Sequence, residues 1–328
     1  MVLLASVFLL LLPEKSLPPP PPPPPLMLAR LMLPRWWWWW WWSLQGFVVG
    51  FLSMGLSLRL GLTMIAFYKS SSVLTKYKSS AKAKLSADFK EGGQRDAWQV
   101  LSCSAFATLL AVARGALKGG DSLVDFGQDY WGSALLCAYL GFYACCNGDT
   151  WSSEIGVLSK ARPRLITNLS RLVPPGTNGG VSLLGTSVSA AGGLFIGICF
   201  WGLGWLFQLE APGGAAGPQA PPVAPQAPLL ALGLLCGLGG SLVDSLLGAV
   251  LQATYYDQEK RVVANHPTAD QVRGGGPAAG VSGNGSRLPQ GGSVAMVCGH
   301  DILSNQQVNA VSAVLTAVAA GAWGYYLL

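Results

Sequence analysis

Long apolar runs recur along this 328-residue chain, and they constrain its fold more than any other feature. Six runs of roughly 17–29 residues are each close to the ~20 residues that a helix needs to cross a bilayer core. They lie at 44–68, 98–114, 129–148, 180–208, 228–250 and 305–328. Backbone polar groups in hydrocarbon must be hydrogen-bonded within the protein, so each run predicts a helix. We therefore predict an all-α, polytopic membrane protein with about six transmembrane helices.

The composition agrees with this class. Hydrophobic residues make up 51% of the chain and charged residues only 11%, whereas a soluble domain carries about 25% charged residues. The net charge of +6 is divided among short loops and does not indicate nucleic-acid binding. Seven cysteines without paired spacing and two histidines indicate neither a disulfide framework nor a zinc site. Residues 1–43 hold proline and tryptophan tracts, which we interpret as a low-complexity, atypical N-terminus before a membrane domain at 44–328.

Lysine and arginine residues distinguish the loops on the two sides of the membrane. Fifteen of them fall in three loops, 69–97, 149–179 and 251–304, whereas the alternating loops, 114–128 and 209–227, hold two. The positive-inside rule places the basic loops in the cytosol and both ends of the six-span unit outside. The glycosylation sequons at Asn168 and Asn284 fall in loops predicted to be cytosolic, so a glycan on either would contradict this topology.

Polar motifs gather at the predicted cytosolic ends of the spans. They are "EGGQRDAWQ" at 91–99, "CNGDTWSSEIG" at 146–156, "PPGTNGG" at 174–180, "GSLVDSLLGAVLQ" at 240–252 and "LSNQQVN" at 303–309. Three- and four-residue spacing places two sets on single helix faces: one is Ser241, Asp244, Ser245 and Gly248, the other Asn305, Asn309 and Ser312. We expect Asp149, Glu154 and Asp244 to converge near one membrane level, together with Arg95 and Asn309. The outside loops show nothing comparable.

A carboxylate near hydrocarbon costs at least ~2.5–3.5 kcal/mol and therefore needs a partner. Two or three carboxylates suit Mg²⁺, which takes substrate phosphates as further ligands. The alternative is that Asp149 and Asp244 pair with Arg95 or cap helix ends, and spacing alone leaves both interpretations open. The turn at 174–180 is equally open, because glycines before a helix suit an anion and also suit a plain turn.

The motifs, in this order, resemble the transmembrane protein 19 family over residues 46–328. The resemblance is carried by "KSSSVLTKYKSSAKAKLSADFKEGGQRDAWQV", "GDTWSSEIGVLSKARPRLIT", "VPPGTNGGVSLLGT", "GSLVDSLLGAVLQ" and "LSNQQVN". The family pattern carries over to Gly93, Arg95, Asp149, Glu154, Pro163, Arg164, Thr177, Gly179, Asp244, Gly248, Asn305 and Asn309. The chain departs from it at Ser304, where family members commonly have an acid, and at His300-Asp301, where they have Lys-Pro.

The wider family includes a plant chloroplast phytyl-phosphate kinase, so the resemblance implies phosphorylation of an isoprenoid (phytyl or polyprenyl) monophosphate by a nucleoside triphosphate, CTP or ATP. It implies that Asp149, Glu154 and Asp244 are catalytic and hold Mg²⁺. The implied substrate-binding residues are Arg95, Arg164, Thr177, Asn178, Gly179, Asn305 and Asn309. Two alternatives stay open, a small-solute transporter and a non-catalytic membrane scaffold. We expect a multi-pass protein in the bilayer of an internal membrane, with no nucleic-acid partner.

Overall fold

The structure is a computed structural model that describes residues 47–83, 85, 97–118, 121–210, 225–264 and 294–328. The Pro- and Trp-rich segment, Gly93 and Arg95 lie outside these residues. Within the described ranges the helices are α1 (Phe47–Leu56), α2 (Leu58–Lys76), α3 (Ser79–Lys82), α4 (Ala97–Ser102), α5 (Ala105–Leu117), α6 (Tyr130–Gly156), α7 (Leu183–Glu210), α8 (Pro228–Leu251) and α9 (Asn305–Leu327). The strands are β1 (Arg164–Leu165), β2 (Asn168–Leu172), β3 (Gly180–Val181), β4 (Thr254–Asp257), β5 (Val262–Ala264) and β6 (Val294–Cys298).

Helix α6 is the centre of the helical bundle, and it packs against α2, α5, α7, α8 and α9. Its sequence is apolar on every side through its middle, so that part of the helix is buried all round. Tyr139, Phe142 and Tyr143 are almost fully enclosed there. The bundle therefore depends on α6 more than on any other helix.

Neighbouring contacts give the directions of the helices. The Tyr139 hydroxyl donates to Leu60 O of α2, and the rings of Phe106 of α5 and Phe142 lie 6.0 Å apart. Farther along, Ser70 of α2 donates to Asn147 Oδ1 at 2.9 Å, and Arg114 of α5 lies 3.8 Å from Asp129. Helix α2 is therefore parallel to α6, and α5 is antiparallel to it. Both ends of the bundle hold charged groups: we call one the arginine end, for Arg59 and Arg114, and the other the aspartate end, for Asp149 and Asp244.

Three helices of the described residues are long and apolar enough to cross a membrane by length and composition: Leu183–Phe207, Pro228–Leu251 and Asn305–Leu327. The first predicted run is divided at Ser57, whose side chain caps α2 by accepting a hydrogen bond from Leu60 N at 3.1 Å. The second is divided into α4 and α5. The predicted helical membrane architecture is thus present, while the number of helices long enough to span is smaller than six by this measure.

Helix α7 is continuous from Leu183 to Glu210. Its glycines Gly192 and Gly193 lie where it meets the neighbouring helices. A Cβ on Gly193 would lie 2.7 Å from Gly237 Cα of α8, and one on Gly192 would lie 3.1 Å from Gly148 Cα of α6. Glycine is used here because it lets helix backbones approach closely, as is typical of membrane helix interfaces.

The structure also contains two small antiparallel sheets, which the all-α prediction did not include. Their strand orders are β2-β1-β3 and β5-β4-β6, and the second sheet is rich in the β-branched and aromatic residues that favour strands. Leu165, Val173, Ala249 and Cys298 form a small apolar core that joins both sheets to the last turns of α8. The sheets therefore cover the aspartate end of the bundle.

Candidate functional site

Asp149 and Asp244 face each other between α6 and α8. The Ser241 hydroxyl, one turn before Asp244, donates to Asp149 Oδ1 at 3.3 Å. The two carboxyl groups are close enough to interact electrostatically. The sequence therefore correctly predicted that these acids converge.

Helix α9 supplies two further groups to this pair. The Ser312 hydroxyl donates to Asp244 Oδ2 at 2.9 Å. With its amide nitrogen turned to the carboxylate, Asn309 donates to the same oxygen at 3.1 Å and to Asn305 O at 2.9 Å. The predicted shared face of Asn309 and Ser312 is thus the face that meets Asp244.

The aspartate pair is not neutralised by a basic side chain in the described part of the chain, where the ion pairs involve other acids. Hydrogen bonds between described residues use only Oδ1 of Asp149 and Oδ2 of Asp244. Asp149 Oδ2 and Asp244 Oδ1 thus accept no hydrogen bond from another described residue. The alternative pairing with Arg95 lies outside the described residues.

Glu154 is placed apart from the aspartates. Its Oε2 accepts from Lys82 Nζ at 2.5 Å, and Lys82 also donates to Leu74 O and Thr75 O at the end of α2. The lysine is only 6% exposed. Among the described residues no group of three His, Cys, Asp or Glu side chains could hold a metal. The expected convergence of three acids therefore does not occur. Glu154 instead binds Lys82 and so connects α3 to α6.

The turn at 174–180 packs on α8 just beyond Asp244. Gly179 has φ +76°, and a Cβ there would lie 2.7 Å from Ser245 O. The Thr177 hydroxyl donates to Pro174 O at 2.7 Å, so it holds the turn together. The Asn178 backbone N–H donates to Thr254 Oγ1 at 3.3 Å. The turn therefore packs on the residue of α8 that follows Asp244, and the side chain of Thr177 is used within the turn.

Cys298 connects this turn to a basic residue. The Cys298 thiol donates to Asn178 O at 3.4 Å. Burial raises the pKa of the Cys298 thiol above its usual range, while the Thr254 hydroxyl and the nearby Arg171 guanidinium lower it, and the net shift keeps the thiol protonated. Arg171 itself donates to Val297 O at 2.8 Å.

Three other residues of the predicted pattern, Arg164, Asn305 and Ser304, lie in a hairpin or at a helix start. Arg164 is exposed and donates to Leu169 O at 2.7 Å, within the β1–β2 hairpin. Asn305 is exposed at the first turn of α9. Ser304 forms a capping box with Gln307 at the start of α9, and the Gln307 Oε1 accepts from Ser304 N at 2.8 Å. Serine is among the preferred N-cap residues, so Ser304 suits the start of α9.

The arginine end holds a buried charged cluster that the sequence prediction missed. Arg59, 1% exposed, donates to Phe200 O and Ser122 O at 2.9 Å each and stacks on the Phe200 ring. Arg114 lies 3.8 Å from Asp129, the N-cap of α6. An arginine inside an apolar run, "LSLRLGL", was the available signal, because such a residue almost always faces the bundle interior.

Comparison with known proteins agrees with the motifs. Residues 34–317 match the family described as "Integral membrane protein DUF92". Protein PGR of Arabidopsis thaliana is 37% identical over 278 residues, which are 83% of this chain and 85% of that protein. An uncharacterized membrane protein of Methanocaldococcus jannaschii is 31% identical over 117 residues, 36% of this chain and 40% of its own. Another from Synechocystis is 29% identical over 143 residues, 44% of this chain and 51% of its own.

No solved structure matches the chain. The sequence matches nevertheless cover most of its length, including α6 and α8, which carry the aspartate pair. The predicted family is confirmed: the chain belongs to the DUF92 family of integral membrane proteins.

Proposed function

We propose that the protein is a Mg²⁺-dependent kinase that transfers a phosphoryl group from CTP or ATP to an isoprenoid (phytyl or polyprenyl) monophosphate. The observation that carries the proposal is the pair Asp149 and Asp244, held by hydroxyl and amide donors and without a basic partner in the described part of the chain. The proposed site faces the cytosol, in an internal membrane. The six-span topology expected from the apolar runs is part of the proposal.

The residues present fit Mg²⁺. Protein sites for this ion usually supply one or two carboxylates, and substrate phosphates and water complete the octahedron. Asp149 and Asp244 provide these carboxylates, so Glu154 is not needed as a ligand. When bound, the ion would neutralise charge on the phosphates, which is the main requirement of phosphoryl transfer.

The reaction makes limited demands on the chain. An oxygen of the lipid monophosphate attacks the γ-phosphorus of the nucleotide, the bond to the bridging oxygen breaks, and that oxygen leaves with its electron pair on the nucleoside diphosphate. The product is an isoprenoid diphosphate. Ser241, Ser312 and Asn309 position the carboxylates, and apolar side chains on α8 and α9, such as Leu246 and Leu315, are exposed and would be available to a lipid tail.

The test is label transfer by the purified full chain. Phytyl monophosphate with γ-labelled CTP or ATP should give labelled phytyl diphosphate, and Asp149→Asn or Asp244→Asn should lower the rate by more than about a hundredfold. Asp125→Asn is the matched control, because Asp125 caps a turn outside the aspartate end. Transfer that persists in both aspartate variants would refute the proposal.

A transporter is the second candidate, favoured by buried polar atoms near both ends of the bundle. Among the described residues, Arg59 Nη2 at the arginine end and Trp151 Nε1, two residues beyond Asp149, are buried without a hydrogen-bond partner. Such atoms usually contact water, and a solute path would supply it. Single cysteines placed along α8 and α9 would test this: labelling by membrane-impermeant reagents from both sides at mid-helix supports a path, and labelling from one end only excludes it.

A further inference from the structure

One face of α2 is exposed over the second half of the helix and carries lysines. Phe67 and Ser71 lie on the other side of the helix and are buried against the bundle, at 4% and 0% exposure. Lys69, Val73 and Lys76 follow each other at four- and three-residue spacing, and all three are exposed. This spacing places them on a single helix face. The second half of α2 therefore turns a basic face away from the bundle.

This face lies at the aspartate end. The Ser70 hydroxyl donates to the Oδ1 of Asn147, which is two residues before Asp149 on α6. Lys69 is therefore close to the level of the aspartate pair, and Lys76 lies about 10 Å farther out at ~1.5 Å per residue. A lysine at the depth of Lys69 places its aliphatic part along the helix and extends its ammonium group to the lipid headgroups. The lysines thus lie at the depth of the headgroup layer.

The charges of the exposed lysines are not neutralised within the described part of the chain. These lysines are Lys69, Lys76 and Lys78. None of them forms an ion pair with another described residue. Residues 58–83 contain no Asp or Glu, and Glu154, which reaches this region from α6, is already bound by a buried lysine. Three positive charges are therefore available to an anion outside the bundle.

Apolar and aromatic side chains accompany these lysines. Tyr68, Val73 and Tyr77 are 52%, 67% and 49% exposed. The Lys78 ammonium lies 5.3 Å from the centroid of the Tyr77 ring. Tyrosine is enriched at membrane–water interfaces because its ring is apolar and its hydroxyl is polar. The surface therefore offers positive charge to a headgroup and apolar contact to the beginning of an acyl chain.

We propose that the surface formed by Lys69, Val73, Lys76, Tyr77 and Lys78 binds an anionic phospholipid in the leaflet at the aspartate end. We call it the α2 lysine surface. A free phosphate would meet the lysines only, and a zwitterionic lipid carries no net charge to match them. Lysines next to the end of a spanning helix attract anionic lipids in this way. The surface is separate from the aspartate pair and does not depend on phosphoryl transfer.

Lipid retention by the purified full chain tests this surface. Native mass spectrometry in a neutral detergent counts the bound molecules of phosphatidylglycerol and phosphatidylcholine when the two lipids are offered in equal amounts. The wild type should retain phosphatidylglycerol in preference. Each lysine near a membrane surface strengthens binding about fivefold, so the combined variant Lys69→Gln, Lys76→Gln and Lys78→Gln should lower the affinity for phosphatidylglycerol at least tenfold. Its affinity for phosphatidylcholine should be unchanged.

A matched variant shows whether the position of the charge matters. Lys160→Gln, Arg162→Gln and Arg261→Gln together remove the same charge from exposed positions outside α2, and they should leave the affinity for phosphatidylglycerol unchanged. Both variants should keep the fold, because every substituted side chain is exposed and glutamine has a helix propensity close to that of lysine. Thermal unfolding in the same detergent checks this.

The outcomes separate a local lipid site from a general effect of charge. Equal losses in the two combined variants would overturn the proposal, and so would equal retention of both lipids by the wild type. Glycerol phosphate, a water-soluble headgroup, should not displace phosphatidylglycerol at the same concentration. Displacement would mean that the lysines recognise phosphate alone and would overturn the lipid as the occupant. A loss confined to the α2 variant supports the surface, whether or not the protein phosphorylates a lipid.

Discussion

Replacing Gly237 by alanine should destabilise the bundle, because this glycine lies where α7 and α8 touch. An added Cβ would lie 2.5 Å from Gly193 Cα and 2.7 Å from Ser189 O, and both atoms belong to the backbone of α7. Neither atom can rotate away as the end of a side chain can. The two helices would have to separate. Gly239, on the same helix, has nothing within 4 Å of the corresponding position.

The comparison of Gly237→Ala with Gly239→Ala isolates the steric cost. Both variants gain the same helix propensity, about 0.8–1 kcal/mol in water, so that gain cancels in the difference. Overpacking a close contact costs typically about 1–3 kcal/mol. At roughly 2–4 °C per kcal/mol for a chain of this size, Gly237→Ala should melt about 2–12 °C below Gly239→Ala.

The assay is thermal unfolding of each purified variant in one detergent. Unfolding is monitored through the reaction of buried thiols with a fluorogenic reagent. Cys236 is a suitable reporter, because it is buried next to Gly237 and becomes reactive when α8 separates from its neighbours. A Gly237→Ala protein as stable as Gly239→Ala would refute the close approach of α7 and α8.

Three further predictions concern the rest of the molecule. Arg59→Lys should lower the free energy of unfolding by about 2–3 kcal/mol, measured by thermal unfolding in detergent, because lysine lacks the two separate nitrogens, Nε and Nη1, that reach Phe200 O and Ser122 O. Lys82→Met should lower the free energy of unfolding by about 1–3 kcal/mol in the same assay. Glu154→Gln should lower it less, because glutamine still accepts a hydrogen bond from Lys82. Equal losses in the two variants would contradict the role of Lys82 as the donor to all three acceptors. Asn168, exposed in β2, should carry no glycan when the protein is made in eukaryotic cells, and a mobility shift on treatment with a glycosidase would reverse the predicted topology.

The sequence was sufficient to predict the aspartate pair because helix geometry is periodic. Asp244 shares a face with Ser241, and Asn309 shares a face with Ser312, whatever the helices pack against. Once the loop charges place the motifs at the same membrane surface, facing helices bring these residues together. The structure adds the pairing itself, in which Ser241 binds Asp149 and the two α9 residues bind Asp244.

Contacts between loops and helices far apart in the chain could not be predicted this way. Glu154 finds its partner 72 positions away in Lys82, on a one-turn helix that follows a left-handed residue, Lys78. The periodicity of the sequence within a helix does not indicate such a contact. Arg59 similarly depends on the carbonyl of Phe200, 141 positions away. Both depend on which helices become neighbours, and that is decided by packing over the whole bundle.

Helix α6 runs from the arginine end to the aspartate end, and its length gives the distance between the two ends. Asp129 caps the start of α6 and Asp149 lies near its other end, about 30 Å away at ~1.5 Å per residue, which is the thickness of a hydrocarbon core. Both clusters would thus lie at membrane surfaces. A kinase for a lipid phosphate needs only one such surface, where a water-soluble nucleotide meets a lipid headgroup. A variant at the arginine end, such as Arg59→Lys, should therefore alter stability but leave the KM for nucleotide unchanged, whereas a transport path through the bundle would depend on both ends equally.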